Sequence, residues 1–351
     1  MTERAHRIDP ATLLMPTAVV GSHSVPEWLE RLRTDHYQGR ISSQYLREIH
    51  DVAVKAAIKD QERAGIDIVT DGEQRRDNDV DYFLTRVPGV EIPHTSKSNS
   101  FDYFEARVTH PLPVLDAAGL GLGPDVLFTR EQTDRPVKFS ITGPYSLSRR
   151  ISDDAYGDRA ALVRALGESL NAEARDIARL GADVVQIDEP FLAGYPQDVE
   201  MAIEGVNTVM EGVDAVRVLH VCYGNRYARP MWEGHYDFLF PAVLDAHIDQ
   251  LALEFARKGD ADLQLFGRHK WDRGLGLGVI DVKSDVVESP GLVAERIHRA
   301  LDVVTPDRLT VNPDCGLRHV PSAIAVAKLR AMVAGTAMAR ADVCGVDAPI
   351  V

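Results

Sequence analysis

Short apolar runs of β-type residues alternate with longer stretches of helical periodicity along most of the chain. Eight such runs recur, starting near residues 17, 67, 137, 183, 216, 249, 275 and 308. Between the first two runs, Ser43–Ala64 places Leu46, Ile49, Val52, Val54, Ala57 and Ile58 near one apolar stripe, and Gly65 stops it. Arg159–Leu180 repeats that pattern and ends at Gly181. Further helices are predicted over Asp198–Met210, Tyr236–Ala246, Glu295–Val303 and Pro321–Val333. Strand–helix alternation implies parallel strands joined by right-handed crossovers. Eight units predict an α/β fold in which 1–351 forms a single (β/α)8 TIM-type barrel. A doubly wound sheet is the alternative, and the lack of Gly-x-Gly-x-x-Gly after the first run lowers its dinucleotide-binding form. Periodicity is lost between about Val87 and Arg135, among Pro88, Pro93, Pro111, Pro113 and Pro124. A stretch of that length predicts an inserted excursion over one face, between strands two and three.

The polar residues follow the same rhythm. Ser22, Glu73, Thr142, Asp188, His220 with Cys222, Glu254, Asp281 with Lys283, and Cys315 each follow a different predicted strand. In a barrel these positions share the C-terminal rim, where this fold carries its active sites. Any one alone reads equally well as a turn or cap residue. Their coincidence at successive strand ends predicts an enzyme.

Composition narrows the chemistry. The formal net charge of −14 argues against a nucleic-acid partner. No apolar run reaches the ~18–20 residues of a membrane span, and Met1–Pro16 lacks the pattern of a signal peptide. Three cysteines in 351 residues make no disulfide framework, so a reducing, cytoplasmic setting is expected. Metal binding is then open to them. In Val216–Asn225, His220 and Cys222 stand two apart on a strand and therefore share a face. With Glu254 and Cys315 they make one nitrogen, two thiolates and one carboxylate, a tetrahedral zinc set, although Glu254 also fits a cap or ion pair. Cys344 has no assigned role. A zinc held by two thiolates suits activation of a substrate thiol, whereas hydrolytic zincs use harder ligands. Glu73 and Asp188 read either as an acid–base pair or as acceptors for a substrate ammonium, and Ser22 as a carboxylate site. Thr142 joins the candidate substrate-binding residues, and Asp281, Lys283 and Asp188 are the candidate catalytic ones.

Several motifs taken in order resemble the cobalamin-independent methionine synthase family, over about Thr17 to Met338. They are Val20-Gly21-Ser22, Asp71-Gly72-Glu73 with Asn78–Phe83, Thr142-Gly143-Pro144, Gln186–Pro190, His220-Val221-Cys222-Tyr223, Glu254 and Asn312–Leu317. The resemblance implies zinc on His220, Cys222, Glu254 and Cys315. It also implies that Ser22, Glu73 and Asp188 hold homocysteine, which is methylated to methionine. The long family enzymes carry a second, N-terminal barrel that helps bind methyl-folate. It has no counterpart here, which makes a methylcorrinoid the rival methyl donor. Where the family usually has Asp-Ile-His-Ser, this sequence has Asp281-Val282-Lys283-Ser284, so a lysine replaces the histidine proposed as proton donor. The similar epoxyalkane:coenzyme M transferases open an epoxide with a zinc-bound coenzyme M thiolate, and are the alternative. Their sulfonate would call on Arg75, Arg76, Arg149, Arg150, Arg226, Arg229 or Lys283. A non-catalytic barrel with structural zinc or a bound tetrapyrrole is the third possibility. The sequence carries no expectation about oligomeric state.

Overall fold

The computed structural model describes residues 13–93, 103–115 and 119–345. Its first half contains α1 (Glu27–Tyr37), α2 (Ser43–Ala64), α3 (Asp81–Leu84), β1 (Ala106–Val108), α4 (Gly123–Glu131), β2 (Lys138–Thr142), α5 (Pro144–Ser148), β3 (Ile151–Asp153) and α6 (Arg159–Leu180). The second half adds β4 (Val184–Asp188), α7 (Val199–Met210), β5 (Val216–Val221), β6 (Gln250–Leu253), α8 (Leu263–Arg268), β7 (Gly274–Ile280), α9 (Pro290–Leu301), β8 (Leu309–Pro313) and α10 (Ser322–Cys344).

Six strands form one parallel sheet in the order β2-β4-β5-β6-β7-β8. β2 and β6 are buried along their whole length, as strands covered on both faces must be. The first two apolar runs contribute single parallel bridges instead of strands. Thr17 bridges Val311, Ala18 bridges Ile68, and Val69 bridges Val137. The architecture is thus α/β with parallel sheets, and every strand of the main sheet sends its C-terminal end to the same edge.

The long helices begin and end where the sequence places them. Ser42 caps α2 by accepting the Tyr45 N–H, and Gly65 ends it at φ +93°. Asp158 caps α6 in the same way, and Gly181 closes it at φ +110°. Tyr236–Ala246 departs from expectation. It forms two 3-10 turns, Tyr236–Leu239 and Ala242–Asp245, because Phe240 is extended before Pro241. α9 starts earlier than its periodicity indicates, at Pro290 behind the Ser289 cap. α1 was not expected at all.

The predicted excursion contains β1 and α4 within it. β1 pairs in parallel with β3, and α4 packs on α6, whose Glu173 accepts the Leu122 N–H at 3.1 Å. Residues 94–102 and 116–118 of that stretch, like residues 1–12, lie outside the described residues.

α10 is the one described helix long and apolar enough to cross a membrane. It packs instead on α9 and α2. Its Lys328 is fully buried and donates to Glu288 at 3.0 Å. Glu288 in turn accepts the Asp281 N–H at 2.8 Å, so this ion pair braces the turn that follows β7. Removing one partner of a buried pair leaves an uncompensated charge and costs about 3–5 kcal/mol. Lys328→Met is therefore expected to lower the unfolding free energy by that amount in denaturant titrations, and Lys328→Met/Glu288→Met to recover most of it. A single variant as stable as the wild type would show that the pair does not brace this turn.

Candidate metal centre

β5 delivers His220 and, just past its end, Cys222 to one face, as strand parity requires. Cys315 follows β8. Among the described residues these three form the one group able to hold a metal ion, their donor atoms all within 4.8 Å of one another. The two sulfurs are 3.5 Å apart. That is too long for a disulfide bond and too close for two thiolates without a cation between them. The contact with Cys222 holds the Cys315 thiol well below its ordinary range, aided by His220, and the same contact pushes Cys222 up.

The imidazole is held from behind. β4 and β5 pair with Asp188 beside His220, and His220 Nδ1 lies 2.8 Å from Asp188 Oδ1. The same carboxylate oxygen accepts the Gln186 amide at 2.7 Å. Gln186 Oε1 accepts from buried Lys138 at 3.0 Å, which fixes the amide's orientation. Burial alone would lower the His220 pKa, but the hydrogen bond to Asp188 and the negative charge of the nearby Cys315 sulfur outweigh it and push it up to about 10. Its Nε2 is buried without a hydrogen-bond partner. With Nδ1 bonded to Asp188, that nitrogen is the lone pair offered to a metal.

Glu254 stands outside this group of three. Its Oε2 accepts from Lys283 Nζ at 2.8 Å, and its Oε1, 3.7 Å from Arg257, has no hydrogen-bond partner. Burial opposes charge on Lys283, but the Cys315 sulfur and Glu254 outweigh it and raise its pKa. Lys283 is thus held as an ammonium. Asp281 does not line the cavity described below; its carboxylate accepts the Lys283 N–H at 2.8 Å and shapes the turn. Sequence reasoning missed Asp314. Its carboxylate accepts the N–H groups of Phe255, Ala256 and Arg257, tying the end of β6 to the residue before Cys315. Burial pushes its pKa up to about 7.

A cavity of about 520 Å³ opens over the three donors. Ser22, Glu73, Asp79 and Asp188 line it together with His220, Cys222 and Cys315. Glu73 takes a left-handed backbone at φ +55°, and its Oε1 accepts from Ser140 at 2.8 Å and Arg76 at 3.3 Å. Burial pushes the pKa values of Glu73 and Asp79 up. Two glycines make room. A Cβ at Gly21 would meet Glu73 Oε1 at 2.3 Å, and one at Gly316 would meet Ser22 Oγ at 2.0 Å. Thr142 is not on the wall; its hydroxyl donates to the Asp79 carbonyl at 2.7 Å and so holds that loop. Asp79 was passed over as a site residue. Its signal was its place in the polar stretch Asn78–Asp81 after the second apolar run.

Most of the cations considered for a sulfonate are engaged by the fold. Arg75 pairs with Asp51 and Asp125, Arg76 with Glu73, and Arg149 lies over the Tyr195 ring. Arg150 lies over Tyr103.

Residues 15–338 match the family described as cobalamin-independent synthase, catalytic domain. A methionine synthase of Sulfurisphaera tokodaii is 34% identical over 334 residues, covering 94% of each chain. One from Saccharolobus islandicus (strain L.S.2.15) is 34% identical over 331 residues, 94% of this chain and 96% of that one. Among solved structures, the B12-independent methionine synthase of Shewanella sp. W3-18-1 in complex with selenomethionine superimposes with a TM-score of 0.83. It is 26% identical, covering 95% of this chain and 100% of that one. A putative vitamin-B12-independent methionine synthase from Listeria monocytogenes shares the fold, with a TM-score of 0.72 at 21% identity, over 93% and 99% of the two chains.

The Asp188–His220 hydrogen bond makes a direct prediction. Outer partners of this kind tune metal affinity about 10–100-fold. Asp188→Asn is expected to weaken zinc binding within that range in chelator competition, and an unchanged affinity would remove Asp188 from this role.

Proposed function

Because the chain belongs to the cobalamin-independent methionine synthase family, we propose that this methyltransferase uses zinc to methylate the sulfur of homocysteine, giving methionine. The observation that carries the proposal is the convergence of His220 Nε2 with two sulfurs 3.5 Å apart at one corner of a cavity. A soft, tetrahedral donor set of this kind fits zinc. His220, Cys222 and Cys315 would hold it, with Glu254 the remaining expected ligand. Zinc bound there supplies Lewis acidity that lowers the pKa of an arriving thiol.

The chain's own groups do the rest. Asp188 keeps the His220 proton on Nδ1, so that Nε2 faces the metal position. Glu73, Asp79 and Asp188 surround the cavity with carboxylates, and an ammonium placed among them would stabilise their ionised forms. Ser22, whose backbone carbonyl is fixed by the Leu317 N–H at 2.8 Å, faces the same space and would receive the substrate carboxylate. Lys283 contributes a fixed positive charge beside the sulfurs. The cavity exceeds what one amino acid fills, which leaves room for the methyl-bearing end of a donor, either methyl-folate or a methylcorrinoid. The selenomethionine bound to the Shewanella relative, a product-like ligand, agrees with methionine as product. Neither coenzyme M nor an epoxide gains support from the compared proteins, and Glu73, Asp79 and Asp188 on the cavity wall call for an amine that coenzyme M lacks.

We read the parallel sheet and its bridges as a closed eight-membered barrel with 87–135 inserted. Thr17–Val311, Ala18–Ile68 and Val69–Val137 link the two edges of the six-stranded sheet through the first two apolar runs. Ala18, Ile68, Val184, Val218 and Ala252 cluster apart from the main core, as an inner layer would. The three free cysteines suit a cytoplasmic setting.

A charged hydrogen bond to the substrate ammonium contributes about 1.5–3 kcal/mol. Glu73→Gln is therefore expected to weaken homocysteine binding by about 10–150-fold in calorimetry, while the wild type methylates homocysteine and not coenzyme M. Undiminished homocysteine binding would take Glu73 out of that role, and methylation of coenzyme M alone would overturn the proposal.

A further inference from the structure

Resting on the reading of the substrate as an amino-acid thiol, we propose that Ser140 and Arg76 are positioning residues for its amine: they occupy Glu73 Oε1 and leave Oε2 to receive the ammonium. Ser140 lies in the middle of β2, between Phe139 and Ile141 of the main core. Strand parity therefore turns it to the opposite face, one layer beneath the strand-end rim. There its hydroxyl donates to Glu73 Oε1 at 2.8 Å. Arg76 reaches the same oxygen at 3.3 Å, the Ser140 hydroxyl at 3.2 Å and the Ser140 carbonyl at 2.8 Å. Among the described residues, both hydrogen bonds of the Glu73 carboxylate thus fall on Oε1. Oε2 takes neither, and the 13% of the side chain left exposed faces the cavity it lines.

The junction is tightly determined. The turn that carries Glu73 is closed by the Asp71 carboxylate, which accepts the Glu73 N–H at 2.8 Å, and by the Glu73 carbonyl, which accepts the Arg76 N–H at 3.0 Å. A left-handed backbone at a glutamate persists only where its surroundings over-determine it. Arg76 is 1% exposed, and its guanidinium lies 5.2 Å from the rings of Tyr82, Phe83 and Phe139, so it cannot follow a moving carboxylate. Gly21 keeps the space open, since a Cβ there would meet Ser140 Oγ at 3.0 Å as well as Glu73 Oε1. Charge acts in the same direction. Burial opposes ionisation of Glu73, and Arg76 and Ser140 work against that burial, so Oε2 meets the amine as a charged acceptor. Asp188 divides its oxygens in the same way, with its bonds to Gln186 and His220 both on Oδ1. One open oxygen on each carboxylate fixes where the ammonium protons must point.

The test is calorimetric binding of homocysteine and of 4-mercaptobutyrate, the same thiol acid without the amine, to the zinc-loaded full chain. The wild type is expected to prefer homocysteine. Ser140→Ala should weaken homocysteine binding by about tenfold and change 4-mercaptobutyrate binding by less than about twofold. Arg76→Lys keeps a cation but cannot span Glu73 and both Ser140 oxygens, and should show the same selective loss. Added to Glu73→Gln, Ser140→Ala should cost homocysteine less than about a further twofold, because both changes act through one carboxylate. A loss shared equally by the two ligands, or one that adds in full to that of Glu73→Gln, would make Ser140 a general support of the cavity and overturn the proposal. The wild type separates the two levels of inference. If it does not prefer homocysteine to the amine-free acid, the amino-acid reading of the substrate falls, and the role of Ser140 and Arg76 with it. If it does, and Ser140→Ala and Arg76→Lys keep that preference undiminished, only the role of Ser140 and Arg76 falls.

Discussion

Two sulfurs 3.5 Å apart, one buried and one half-buried, facing an imidazole nitrogen with no partner, are the constraint around which the site is built. Two thiolates that close cannot both persist in a weakly screening interior, so the pair carries either a proton or a cation. A dication satisfies both sulfurs and the nitrogen at once. The scaffold supplies the closeness at little local expense, because β5 and β8 end at the same edge of one parallel sheet. Around them the fixings are polar and buried. Lys138, Gln186 and Asp188 form a chain that ends on His220 Nδ1, and Asp314 clamps the segment after Glu254 beside Cys315.

The cavity above that corner has its own logic. Glu73 and Asp79 are drawn out of water far enough that burial raises their pKa values, which is costly unless a cation arrives. Arg76 meets part of the demand at Glu73 from below. The carboxylates on the wall favour a ligand carrying an amine, and Arg226 and Arg318 on the same wall suit that ligand's carboxylate. Thiol at the metal corner and amine among the carboxylates together describe an amino-acid thiol.

Much of this was legible in the sequence because strands impose a period of two and glycine closes helices. His220 and Cys222 were paired by parity alone, and α2 and α6 were bounded by Ser42, Gly65, Asp158 and Gly181. Facts about register were not legible. Asp188 stands beside His220 only because β4 and β5 pair in one particular alignment, so its hydrogen bond could not be told from a substrate contact. Lys283 and Glu254 sit 29 residues apart, and their ion pair depends on how the ends of β6 and β7 approach. Thr142 carried the right residue type at the right strand end, yet its hydroxyl serves the Asp79 loop. The helix expected over Tyr236–Ala246 failed because one proline outweighed a run of good periodicity.

The central claim is that the His220, Cys222 and Cys315 corner presents zinc to the homocysteine sulfur. Zinc K-edge X-ray absorption on the zinc-loaded protein counts those sulfurs directly. Two sulfur ligands before homocysteine and three after it is the predicted result. A count that stays at two with homocysteine bound would contradict the account.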